Sequence, residues 1–108
     1  MRTNEYGVAI GRYGYAPSII QADTSHCFLC GRCDEKLDRH EPFNGPYRTK
    51  SKALGMWVAL CHDRCHYGRA HRYYQDIRDL KRITQEKAMV HYGWDEKEFI
   101  RRFGKNWL

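Results

Sequence analysis

Two cysteine pairs constrain this chain more than any other feature. Cys27 and Cys30 form C-x2-C, and Cys61 and Cys65 form C-x3-C after a long interval. Four thiolates close a tetrahedral Zn2+ site with no ligand position left open. A chain that builds such a site must fold the interval back on itself, which a hairpin does. The fifth thiol, Cys33, could replace Cys30, but C-x2-C with a following Gly31 favours Cys27 and Cys30. An odd cysteine count does not suit a closed disulfide framework. In a reducing cytoplasm, clustered cysteines read as metal ligands. The competing reading, small buried apolar side chains, does not explain why they come in pairs.

Around these pairs the chain divides into recognisable stretches. Residues 1–22 are rich in Gly and Tyr without helical period, and are expected to form an extended arm with a short strand near Ile19–Ile20. Residues 23–108 form the zinc-containing domain. "CFLCGRCDEK" is a tight knuckle, "LDRHEPF" a short strand that Pro42 ends, and "NGPYRTKSKALG" a basic loop. "MWVALC" is the second hairpin strand. From about Ala70, Tyr73, Ile77, Leu80, Thr84 and Ala88 recur at helical spacing, and Gly93 stops the helix. Tyr73, Ile77 and Leu80 are expected in the core, as are Trp57 and Trp94. Asp95 is an N-cap with Glu98 completing a capping box, opening a short helix that ends at Gly104. The fold class is therefore α+β: a small zinc-stapled β-hairpin plus helix, with an additional C-terminal helix.

Charge narrows the partner. Lys and Arg outnumber acids 19 to 13, giving a net charge of +6 and a pI near 9.2. Such an excess points to a polyanion, nucleic acid above all. No signal peptide is expected in "MRTNEYGVAIGRYGY", and no segment approaches the roughly 18 apolar residues of a membrane span. The expected location is cytoplasmic.

With four thiols assigned to zinc, His40, His62, His66 and His71 remain, with Asp38, Glu41 and Asp63. A strand-end His40 facing a helix-start histidine can hold a second ion, with positions open for water and phosphate. His26, His62 and His91 are given no role.

The order of hairpin, knuckle and helix resembles the His-Me finger, or HNH, endonucleases, whose core is a ββα-metal unit. More closely, "PSIIQ", "CFLCGR", "LDRHEPFNGPYRTKS", "GMWVALCHDRCH" and "FGKNWL" are similar to blocks of compact HNH-type proteins encoded by phages and prophages. The resemblance covers nearly everything after the first fifteen or so residues. It implies that Cys27, Cys30, Cys61 and Cys65 are the zinc knuckles and that His40 lies in the strand-end histidine motif. There, one histidine acts as general base and a neighbour helps bind a divalent ion. Members often carry His-His where this chain has His40-Glu41. Either His40 is the base, or His40 binds metal and Glu41 takes the base position. The first is favoured because imidazole titrates near working pH. Met56 stands where the family's middle asparagine falls, which leaves open what orients the base. His66 and His71 both qualify as the last histidine, with a slight lean to His71.

The resemblance implies hydrolysis of DNA phosphodiesters in a bacterial host cytoplasm. Structural Zn2+ would accompany catalytic Mg2+ or Mn2+, and Arg39, Arg48, Lys50 and Lys52 would contact flanking phosphates. Two alternatives stand beside it: a nucleic-acid-binding module whose catalytic pair has decayed, and a phage protein that inhibits a host defence protein. The assembly alternatives are a homodimer and a complex with that host protein. Fold alone does not separate these functions.

Overall fold

A computed structural model describes residues 2–108. Its centre is a two-stranded antiparallel hairpin, β1 (Leu37–His40) against β2 (Val58–Cys61), in the register Leu37↔Cys61 to His40↔Val58. Every residue of β2 is buried, which the continuous apolar run "VALC" anticipates. β1 ends one residue before Glu41, and Pro42 cannot donate to a ladder.

The outer edge of β2 is capped without a third strand. Phe28 N–H donates to Ala59 C=O at 2.8 Å, Gln21 Oε1 accepts from Ala59 N–H at 2.9 Å, and Ser18 Oγ donates to Trp57 C=O at 2.6 Å. Residues 18–28 thus satisfy an edge that would otherwise present unpaired backbone. The expected strand near Ile19–Ile20 does not form. Side chains take the hydrogen bonds that strand would have made, and the regular pairing in the arm is an isolated bridge, Thr3↔Ala9.

The segment expected to be a basic loop is largely helical. A 3-10 turn, Gly45–Tyr47, leads into α1 (Arg48–Ala53). Pro46 suits a helix start because its missing N–H is not needed there. Ser51 is buried and donates to Phe43 C=O at 2.6 Å. A single-turn helix of this kind has no apolar period for a sequence reading to find.

The long helix also begins later than expected. After β2 the chain runs as a π-helical segment, His62–Ala70, then breaks before α2 (Tyr74–Tyr92). Its wide turn carries Cys65 inward while leaving His66 beside it on the histidine side. Tyr73 precedes α2 and is exposed, not core, and Ile77 is half-buried. Leu80, Thr84, Gln85 and Ala88 form the buried face. Gly93 closes α2 in the left-handed region. Asp95 caps α3 (Glu96–Phe103) by accepting from Glu98 N–H at 2.8 Å. The reciprocal half of the expected capping box is missing, because the Glu98 carboxylate accepts from Arg101 and Arg102 instead.

Two apolar clusters result. One gathers Ile20, Val58, Leu60, Ala70 and Leu80 around Cys27, Cys61 and Cys65. The other packs Phe43, Leu54, Met56 and Ala88 against Trp94, Phe99 and Phe103. Trp57 and Trp94 are both buried, as expected, each with its indole N–H satisfied.

Candidate metal centres

The cysteine knuckles meet across the hairpin. The thiols of Cys27, Cys30, Cys61 and Cys65 all lie within 4.8 Å of one another, and Cys30 Sγ stands 3.7 Å from Cys61 Sγ. A tetrahedron of thiolates at the usual Zn–S length has edges of about 3.8 Å. A disulfide would bring two sulfurs to about 2 Å, and all five cysteines are free. The knuckle turns on Gly31, at φ +75°, whose N–H donates to Cys27 C=O. Cys33 is exposed and outside the cluster.

The electrostatics favour a cation. Burial pushes the Cys61 and Cys65 thiols up, since a lone thiolate there lacks solvation. At Cys27 burial acts the same way but is outweighed by backbone N–H groups of Cys30, Cys61 and Leu29, which bring it down to about 7. Four sulfurs in one dry pocket cannot all ionise unaided. A divalent ion removes that obstacle, so the donor set fits structural Zn2+.

The second cluster is imidazole. His40 ends β1, His66 follows Cys65 on the π-helical segment, and His71 lies just beyond it. One ring nitrogen from each falls within 4.8 Å of the others. His71 Nε2 lies 3.1 Å from His66 Nε2. Two imidazoles bound to one ion at about 2.05 Å would place their nitrogens roughly 2.9–3.4 Å apart, so this pair also fits an ion. Both candidates for the last histidine therefore lie in one cluster, and the wide π turn makes that compatible with their spacing.

Asp38 organises one side of the cluster. Its Oδ2 accepts from His66 Nδ1 at 2.9 Å and from His62 Nδ1 at 2.6 Å. Burial pushes the Asp38 carboxyl up, but the hydrogen bonds from His66 and His62 prevail and hold it low. Donating Nδ1–H to a carboxylate leaves the Nε2 lone pair of His66 facing the cluster, the usual outer-shell arrangement of a metal-ligating histidine. Asp38 and His62 carried no role in the sequence reading. The available signal was strand period, since Asp38 and His40 sit two apart on β1 and share a face.

His40 is buried, and among the described residues its imidazole ring makes no hydrogen bond. Burial pushes its pKa down to about 3, with the charges of His66, His71 and Lys81 acting the same way. His71 is lowered by burial and then by His66. Glu41 is not in the imidazole cluster but lines the same cavity. Its carboxylate accepts from Arg48 Nε at 2.8 Å and from Tyr15 O–H at 2.9 Å. Met56, at the place of the absent asparagine, is wholly buried in the aromatic cluster.

A cavity of about 250 Å3 opens beside the imidazoles, lined also by Arg39, Glu41, Asn44 and Arg48. A wider groove of about 690 Å3 lies on the other side of His66, bordered by Tyr15, Arg39, Trp57 and His62. Of the basic residues singled out in the sequence, three gather around Tyr15 and Glu41, and Lys50 lies apart. Arg39 and Lys52 lie over the Tyr15 ring at 4.6 and 4.7 Å, Arg48 is paired with Glu41, and Lys50 reaches Arg102 C=O on α3.

Hairpin, thiol tetrad, adjacent histidines and trailing helices together define a ββα-metal scaffold of His-Me finger type, extended by a C-terminal helix. Beyond that class, no protein-family model, no curated protein and no solved structure matches the chain. No helix among the described residues is long and apolar enough to cross a membrane.

Proposed function

We propose that the protein is a metal-dependent endonuclease that hydrolyses DNA phosphodiesters, encoded by a phage and working in a bacterial host cytoplasm. The observation that carries this reading is the convergence of His40, His66 and His71 on one open cavity beside basic side chains. A thiol site with four ligands is closed and serves stability. An imidazole site that opens to a cavity leaves room for water and a phosphate.

In this reading His66 and His71 hold the divalent ion, and Asp38 fixes the tautomer of His66. The ion, when bound, supplies charge to offset that developing on the phosphoryl and leaving oxygens. His40 accepts the proton of the attacking water as a buried and therefore weak base, held near 3 and not near working pH as the sequence led us to expect. Arg39, with Lys52 beside it on Tyr15, contacts flanking phosphates. Arg48 does so with its exposed edge while holding Glu41 aside. Nitrogen donors favour Mn2+ over Mg2+, which prefers oxygen. Residues 1–22 act as an arm bracing the domain of residues 23–108.

Supercoiled plasmid tests the proposal. Wild-type protein with Mn2+ should nick it, more slowly with Mg2+. His40→Ala should abolish nicking while keeping its zinc, and Asp38→Asn should raise the Mn2+ requirement about 10–100-fold. Equal traces of cutting in wild type and His40→Ala would remove the enzyme. DNA binding with a steep salt dependence and no cutting would favour the second reading, a nucleic-acid-binding module with a decayed site. The burial of Met56 where an orienting asparagine is expected supports that reading.

A further inference from the structure

The C-terminal "FGKNWL" and the helix-borne Lys81 have no part in the chemistry above. They meet in a cleft of about 310 Å3 between the 43–47 turn and the chain's end, bordered by Phe43, Asn44, Tyr47, Lys81, Lys105 and Trp107. Asn44 also lines the histidine cavity, so the two are neighbours. Lys81 is close enough to His40 to bear on its ionisation.

The cleft concentrates unpaired positive charge. Lys81 Nζ lies 4.4 Å and Lys105 Nζ 4.3 Å from the centroid of the same Trp107 ring. Lys50 Nζ approaches from α1, 5.6 Å from the Phe103 ring and 5.7 Å from Tyr47. Among the described residues, neither Lys81 nor Lys105 makes an ion pair or a hydrogen bond, and no carboxylate lines the cleft. Several arginines elsewhere are paired with acids, among them Arg48 with Glu41, Arg64 with Glu35, Arg69 with Asp76 and Arg102 with Glu5. Burial pushes Lys81 below the usual lysine range, and Lys105 adds to the effect. Two ammoniums repelling each other in a partly desolvated cleft cost stability that the indole face only partly offsets.

The tail that brings them together is tied down. Trp107 N–H donates to Gln85 Oε1 at 2.7 Å, and Gln85 Nε2 donates to Asn106 Oδ1 at 2.7 Å. Gln85 is itself buried in α2. The Trp107 end of the cleft is therefore in place before any ligand arrives, which reduces the ordering cost of binding.

We propose that the Lys81–Lys105–Trp107 cleft is a second phosphate subsite, which takes the backbone of the nucleic-acid strand as it leaves the histidine cavity. A phosphodiester in the cleft accepts from the ammoniums that line it and offsets their repulsion. Such contact positions the strand without reading its bases. This inference rests on the nucleic-acid reading above, and its test separates the two.

Binding is measured with His40→Ala protein and no added divalent ion, so cutting plays no part. The probes are a short fluorescent DNA duplex and the matching single strand, titrated across a range of NaCl. Adding Lys81→Gln and Lys105→Gln together should flatten the log–log salt slope by about 1.8 for the duplex or about 1.4 for the single strand. Each alone should give half that shift, which keeps the test usable if the double variant folds poorly. Lys87→Gln, on another face of α2 beside Ile19 and Val90, should leave the slope unchanged. DNA binding with an unaltered slope in all lysine variants overturns the subsite and leaves the nuclease reading standing. Failure of the parent to bind either probe overturns both.

Discussion

His40 is surrounded by groups that oppose its protonation. The ring is buried, and His66, His71 and Lys81 face it with positive or potentially positive charge. Asp38, the carboxylate of the cluster, bonds His66 and His62 and not His40. A histidine held near 3 in the fold and near 6.5 when unfolded makes the unfolded chain the better proton acceptor between those values. Stability therefore rises with pH across that window and is lost as pH falls through it, by about 1.4 kcal/mol per unit. Urea unfolding near neutral pH and about two units lower should show a larger loss for wild type than for His40→Asn. Equal losses would mean that His40 is not the group responsible. At this scale the ligand types were legible, because thiols and imidazoles are few and their spacing is informative. The partnership of Asp38 with His62 and His66 was not, since it joins β1 to a segment whose winding the sequence does not announce.

Gly55 shows what an element boundary can demand. It follows α1 at φ +71°, and a Cβ there would sit 2.2 Å from Pro17 C=O. Gly93 has the same φ, yet a Cβ there meets nothing within 4 Å. Both substitutions to Ala carry left-handed strain of about 1–2 kcal/mol. Gly55→Ala must in addition push the arm off the hairpin, so it should cost at least ~2 kcal/mol more than Gly93→Ala in urea denaturation. Similar midpoints for the two would show that the arm does not pack closely there. Hairpin, α2 and α3 were readable from period, from Gly93 and Gly104, and from Asp95. The π-helical segment and α1 were not, because each is set by what it delivers: Cys65 to the thiols, and Ser51 to the carbonyl of Phe43.

The molecule as a whole rests on two clusters that share few residues. The first has thiols at its middle, so a zinc ion held there would be continuous with the core. The second is an aromatic stack that the arm helps close: Tyr6 stacks on Tyr92 at 4.5 Å and accepts from Trp94 Nε1 at 2.9 Å. Removing zinc should therefore not unravel the chain evenly. A strong chelator, or Cys65→Ser, should abolish protection of β2 amides in hydrogen exchange while α3 amides keep part of theirs. Uniform loss across both would show a single cooperative unit. The paired cysteines, the apolar β2 run and the capped C-terminal helix already determined a hairpin closed by a thiol tetrad with trailing helices, because ligand spacing and periodicity are local properties of a chain. Only tertiary structure decided that three imidazoles share one cavity, that Glu41 beside them is engaged by Arg48 and Tyr15, and that Lys81 and Lys105 both approach Trp107. Those arrangements join residues far apart in sequence, and the folded packing, not the pattern along the chain, sets which way each side chain points.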